Sequence, residues 1–121
     1  MYLYHPSDTK FDTIKVKYFG RHKYTLNEVK ASPIKRAFYY LSPISVEKLL
    51  KNCKYIYKIK VQASQLYNLR RDKCNLKTKF KNIHKLLSYL KKHYLGVIYK
   101  PNGYCIVCIF QDMKPIEIIE R

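Results

Sequence analysis

The residues Lys54-Tyr-Ile-Tyr-Lys-Ile-Lys-Val61 set Tyr55, Tyr57, Ile59 and Val61 on one side and Ile56, Lys58 and Lys60 on the other. That period of two belongs to a half-buried β-strand, because successive side chains of a strand point to opposite faces. Further along, Ile83, Leu86, Leu87 and Leu90 recur at spacings of three and four, with Lys79, Lys81, Lys85, Lys91 and Lys92 around the remainder. This spacing predicts an amphipathic helix of about four turns. Both periods must be housed in 121 residues, enough for one hydrophobic core and too few for two ordinary domains. The expectation is therefore a single α+β domain covering residues 1–121.

The remaining segments read as mostly β. Tyr2-Leu3-Tyr4 forms a short strand that ends at the turn His5-Pro6-Ser7-Asp8 and delivers His5 to a loop. Between Phe11 and Tyr18, Ile14, Val16 and Tyr18 alternate with Lys15 and Lys17 as in a half-buried strand. Residues 19–36 lack sustained periodicity and read as a basic surface loop with one helical turn at most. Ala37-Phe-Tyr-Tyr-Leu41 is β-prone, and Ser42-Pro43 supplies an N-cap and a first-turn proline for a short helix running to about Asn52. Residues Leu66 to Asn75 read as a polar connector. The chain closes with strands at Gly96–Tyr99, Tyr104–Phe110 and Pro115–Ile119, the first two joined by the turn Lys100-Pro-Asn-Gly103.

Charge bounds the partners. Lys and Arg number 25 against 8 Asp and Glu, a formal +17, which steers the chain toward polyanions. Most of that charge is lysine, suited to point contacts with phosphate more than to bidentate reading of base edges. AT-rich codon usage also yields Lys, Tyr and Ile, but it does not suppress acids so thoroughly. Met1 to Leu3 lead straight into polar residues and no apolar run has membrane-spanning length, so a chain without a leader, cytoplasmic and with no membrane partner, is the expectation. Of the four cysteines, only Cys105 and Cys108 have motif spacing, and they fall in a strand where residues three apart face opposite ways. Free thiols are expected there, and no metal. P-loop, dinucleotide, zincin and nucleophile-elbow motifs are absent, three glycines exclude a glycine-rich phosphate loop, and the eight acids form no cluster for two-metal chemistry.

Five segments in order carry a resemblance. Leu3-Tyr4-His5-Pro-Ser7 followed by Phe11-Asp-Thr-Ile14 resembles the opening strand of small bacterial and phage ADP-ribosyltransferase-like domains, with proline where glycine usually follows the histidine. Phe38-Tyr-Tyr-Leu-Ser42-Pro43 is similar to their second signature strand, which runs into a short helix. Tyr55 to Val61 with Leu66-Tyr-Asn-Leu69, then Leu95-Gly-Val-Ile-Tyr99, then Ile106 to Ile118 resemble the later strands. The resemblance spans almost the whole chain. It implies a split β-sheet that clamps NAD and cleaves its nicotinamide glycosidic bond through an oxocarbenium-like transition state.

On that resemblance His5 meets the ribose, Tyr40 forms the aromatic platform for nicotinamide with Tyr39 as the alternate one register step away, and Ser7, Arg21, Arg36 and Ser42 contact pyrophosphate or ribose. The family's third residue is an acid at the head of the next-to-last strand. Here that stretch is Asn102-Gly-Tyr-Cys-Ile106, so Tyr104, with Asn102 beside it, is the nearest substitute. A nucleic acid or nucleoprotein is the implied acceptor, and phage counter-defence or host takeover the implied setting. Two other readings stay open: a non-enzymatic module binding RNA or DNA, or inhibiting a nucleoprotein complex, through the lysine helix and the loop from Arg21 to Arg36, and a small ribonuclease using His5, His22, His84 or His93.

Overall fold

A computed structural model describes residues 1–19, 30–49, 53–100 and 105–121. The domain is α+β, as expected. Seven strands, β1 (Tyr2–Ser7), β2 (Ala37–Tyr40), β3 (Tyr55–Lys60), β4 (Leu66–Asn68), β5 (Gly96–Tyr99), β6 (Ile106–Ile109) and β7 (Glu117–Glu120), form one sheet in the order β4-β5-β6-β2-β1-β3-β7. Only β4 and β5 are parallel; every other neighbouring pair is antiparallel. Among the described residues the helices are α1 (Pro43–Leu49), α2 (Leu76–Lys79) and α3 (Ile83–His93), and Lys30 and Ala31 are also helical. None among the described residues is long and apolar enough to cross a membrane.

Strand period decides which residues share a face. Leu3, Tyr39, Tyr57, Ile59, Val107 and Ile109 bury themselves on one side, where Phe11, Ile14 and Val16 cover them. Tyr67, Val97, Cys108 and Phe110 point to the other, where Leu86, Leu87 and Leu90 of α3 pack on them. Tyr57, Ile59 and Val61 thus share the buried face read for them, while Ile56, read on the lysine side, is also fully buried. The helix holds 11 residues, three turns where about four were expected, and begins where the Asn82 side chain accepts hydrogen bonds from the backbone N–H groups of His84 and Lys85. Ser42 caps α1 by accepting from Ser45 N at 3.2 Å, with Pro43 in the first turn, as its sequence predicts.

Two segments differ from their sequence reading. Residues 11–18 are not a strand: only Ile14 bridges, to Met113, and Val16–Tyr18 form a 3-10 turn. Their alternating apolar side chains serve as a cover laid over the sheet rather than as a member of it. The supposed polar connector begins with β4, whose Leu66 and Tyr67 are buried beside β5. Three residues are too short a run for a period to be legible. Beyond β4, the Asp72 carboxylate accepts from the Tyr67 hydroxyl and from Leu76 N and Lys77 N, fixing the start of α2. The Tyr67 hydrogen bond, reinforced by those amides, holds the Asp72 carboxyl below its usual range.

Gly96 has a packing reason. A Cβ there would collide with the Cys108 carbonyl oxygen and crowd Ile109 and Leu66, so β5 lies too close to β6 for any side chain at this point. Gly96→Ala is expected to lower the free energy of unfolding by about 1–3 kcal/mol, read as a lower urea midpoint with unchanged slope. Burial, together with the Asp72 contact, also pushes the Tyr67 phenol up to about 12, against an ordinary value of 10.0. Below pH 10 its folded and unfolded forms hold the same proton. Above it the unfolded chain ionises first, so stability should be whole below pH 10 and decline as pH rises toward 12. Urea midpoints measured across that range test this, and Tyr67→Phe should make the decline shallower.

Candidate functional site

At the centre of the sheet, β1 and β2 share a single registered pair. Val61 N donates to Met1 O, so the odd residues of β1 hydrogen-bond toward β3 and the even ones, Tyr4 and Pro6, face β2. Tyr4 pairs with Tyr40, and that is the one paired position between β1 and β2. The next residue of β1 that would donate across to Phe38 is Pro6, which has no N–H. His5 substitutes for it: its Nδ1 donates to the Phe38 carbonyl at 2.7 Å. Since a carbonyl only accepts, that contact assigns the proton to Nδ1 and leaves Nε2 as the acceptor nitrogen of the neutral ring. His5 therefore lies inside a strand at the split of the sheet, not in the loop its sequence suggested, because β3 pairs with β1 as far as Ser7.

Aromatic rings surround the imidazole. Its centroid is 5.4 Å from that of Tyr39, 6.4 Å from Phe11 and 6.5 Å from Tyr57. Phe11 stacks on Tyr57 at 4.3 Å, and the Tyr57 hydroxyl accepts from Phe11 N and donates to Thr9 O, locking the covering segment onto β3. Tyr39 is fully buried, and its hydroxyl has no hydrogen-bond partner among the described residues. Desolvation, with a smaller contribution from the Asp112 charge, pushes this phenol far above its ordinary range, so it is neutral at any physiological pH. Leaving a hydroxyl buried and unpaired costs free energy, and such a group calls for an explanation.

The expected site residues do not all converge. The Tyr4–Tyr40 pairing puts the Tyr40 side chain on the face opposite His5, where Tyr4, Tyr40, Ile106 and Tyr99 form a half-buried row across β1, β2, β6 and β5. The ring that meets His5 is Tyr39, the alternate in register. Arg36, expected at a pyrophosphate, is 1% exposed: Nη1 donates to Ile34 O at 2.6 Å and Ser32 O at 3.4 Å, with Phe19 and Phe38 against the guanidinium. Its surroundings make it a staple for residues 32–36. Charge pattern cannot separate a buried arginine from a surface one; the neighbouring phenylalanines are the only sequence hint.

Ser7 bonds Thr9 in a local turn, and Ser42 is occupied in capping α1. Arg21 and the third-position candidates Asn102 and Tyr104 lie outside the described residues. At the described head of β6, Cys105 receives a contact from Arg70 Nη1 at 3.0 Å. An open hollow lined by Asp12, Lys114 and residues 115–118 includes none of the expected site residues. Comparison of the chain with protein-family models, with curated proteins and with solved structures finds no match.

The split yields a test of its own. His5→Ala removes a side-chain donor to the Phe38 carbonyl and should cost about 1–2 kcal/mol. Pro6→Ala restores a backbone N–H aimed at the same oxygen. Combined, the two substitutions should cost less than the sum of the single effects, and equilibrium unfolding of the four proteins measures that coupling.

Proposed function

We propose that this chain is an ADP-ribosyltransferase-like domain that takes NAD at the split between β1 and β2. The observation that carries the reading is the pairing there of His5 with Tyr39, a fully buried tyrosine whose hydroxyl lacks a partner among the described residues. A nucleotide reaching the His5 face would have to displace residues 11–16, which cover Tyr39; it would then supply that partner, with the uncovered Tyr39 ring as the flat surface for nicotinamide and His5 oriented toward ribose hydroxyls. Support also comes from the order of the five resembling segments and from a sheet that parts at the histidine-bearing strand.

In this reading, cleavage of the nicotinamide–ribose bond builds positive charge on the ribose. The third position, which we assign to Tyr104, offers an oxygen but no carboxylate, so NAD binding should outlast efficient transfer. The acceptor is a nucleic acid or nucleoprotein, the class that a net charge of +17 draws in.

Calorimetric titration with NAD, and incubation with labelled NAD and cell lysate, test the proposal. Binding is expected in the wild-type chain. Tyr39→Phe should weaken it about fivefold, the worth of one ordinary hydrogen bond, while stability holds or rises because an unpaired buried hydroxyl is gone. Absence of both NAD binding and label transfer would remove the nucleotide reading.

A further inference from the structure

The basic charge is not evenly spread. Residues 66–100 hold ten Lys and Arg against one acid, Asp72, and that carboxylate is committed to Tyr67 and the amides of α2. The ion pairs between described residues, Lys10–Glu120 and Lys58–Glu117, lie at the β3–β7 edge of the sheet and involve none of these ten. The α2–α3 end of the molecule thus carries cations without described acidic partners.

One stripe of that end has a composition that solubility does not require. Lys85, Tyr89, Lys92 and His93 follow one another at spacings of four, three and one along α3, beside the face that buries Leu86, Leu87 and Leu90. The Tyr89 and His93 ring centroids lie 4.3 Å apart, and the Phe80 ring centroid lies 5.1 Å from that of Tyr89. Lys85, Lys92 and His93 are exposed; Phe80 and Tyr89 are half-buried, so the rings are held in place with part of each in solvent. Fixed rings interleaved with lysines that have no acidic partner among the described residues are what an unpaired base and its phosphates need: a flat partner to stack on and point charges at the backbone. Duplex DNA offers its phosphates but hides its base faces, and an acidic protein surface offers carboxylates without the regular alternation of phosphate and base that a single strand repeats.

We infer that the stripe Lys85-Tyr89-Lys92-His93, with Phe80 behind it, is a docking surface for single-stranded nucleic acid. The inference stands apart from the nucleotide site on the sheet and does not depend on it.

Fluorescence anisotropy with a labelled oligothymidylate of about 20 nucleotides tests it. With about five phosphates engaged, affinity should fall about a hundredfold between 50 and 200 mM salt. Lys85→Ala with Lys92→Ala should reduce the slope of log affinity against log salt by about 1.4, some 0.7 for each single-strand phosphate no longer neutralised. The same two-charge loss at the exposed Lys15 and Lys54 should leave most of the slope in place. Tyr89→Leu keeps apolar bulk against Phe80, and should weaken the single strand about tenfold while leaving binding to a duplex of equal length unchanged. His93→Ala, at an exposed position, should weaken it in the same direction, and circular dichroism checks that each variant is folded. Three results would overturn the inference: no binding at 50 mM salt, equal affinity for single strand and duplex with no response to Tyr89→Leu or His93→Ala, or an equal drop in slope from the control lysines.

Discussion

The hydrogen bond from His5 Nδ1 to the Phe38 carbonyl stands where a backbone amide cannot, beside the single registered pair that joins β1 to β2. A proline facing β2 would ordinarily mark the edge of a sheet, yet β1 is interior, with β3 and β7 on one side and β2, β6, β5 and β4 on the other. Two halves that share one paired position need other ties. The segment covering the sheet supplies them: Phe11 is held to Tyr57 on the β3 side, whereas Ile14 exchanges backbone bonds with Met113 and Val16 N donates to Asp112 on the β6 side. Residues 11–16 therefore strap the halves together above the gap. This explains why alternating apolar residues there do not join the sheet: they are used on top of it.

Much of the architecture was legible because it rests on period and caps. Tyr57, Ile59 and Val61 declare their strand by sharing a buried face, and Leu86, Leu87 and Leu90 declare their helix, although Ile83, read on that same face, is 42% exposed; Ser42-Pro43 declares its helix through a local bond to Ser45. What escaped the sequence was set by pairing between distant segments. Leu66-Tyr67-Asn68 becomes a strand only because Gly96–Ile98 lies beside it, and Gly96 lets β5 and β6 approach closely. The site divides in the same way. His5 is legible as a residue to watch, but its strand position depends on β3. The choice between Tyr39 and Tyr40 depends on a register that no stretch of β2 encodes by itself, since both tyrosines suit a strand and a shift of one residue exchanges their faces. Arg36 illustrates the converse, a charged residue removed from the surface by rings at positions 19 and 38.

The two proposed sites lie on different parts of the fold and draw on different chemistry. At the sheet split the groups are neutral aromatics and one imidazole, with the nearest charge effect on Tyr39 coming from Asp112. On α3 the groups are lysines beside exposed ring edges. Among the described residues only Lys58 and Lys60 of the cations lie on strands, so the rest of the described charge sits in helices and connectors.

The strand order also bears on how the chain reaches this state. β1, made first, ends between β2 and β3, whereas β6, near the end of the chain, is the piece that joins β2 to β5. Until β6 is in place, the β4–β5 pair and α3 have no sheet to rest on, and β2 presents an open row of hydrogen-bonding groups. The fold thus closes late and through contacts far apart in sequence, which slows folding relative to locally wired domains of the same size. A nascent chain stalled before residue 106 would hold an unpaired aromatic strand, Ala37-Phe-Tyr-Tyr40, in solvent. Its safest course is for β1 to occupy one flank of that strand early, and the single Tyr4–Tyr40 bridge then becomes the first seam along which the later strands register.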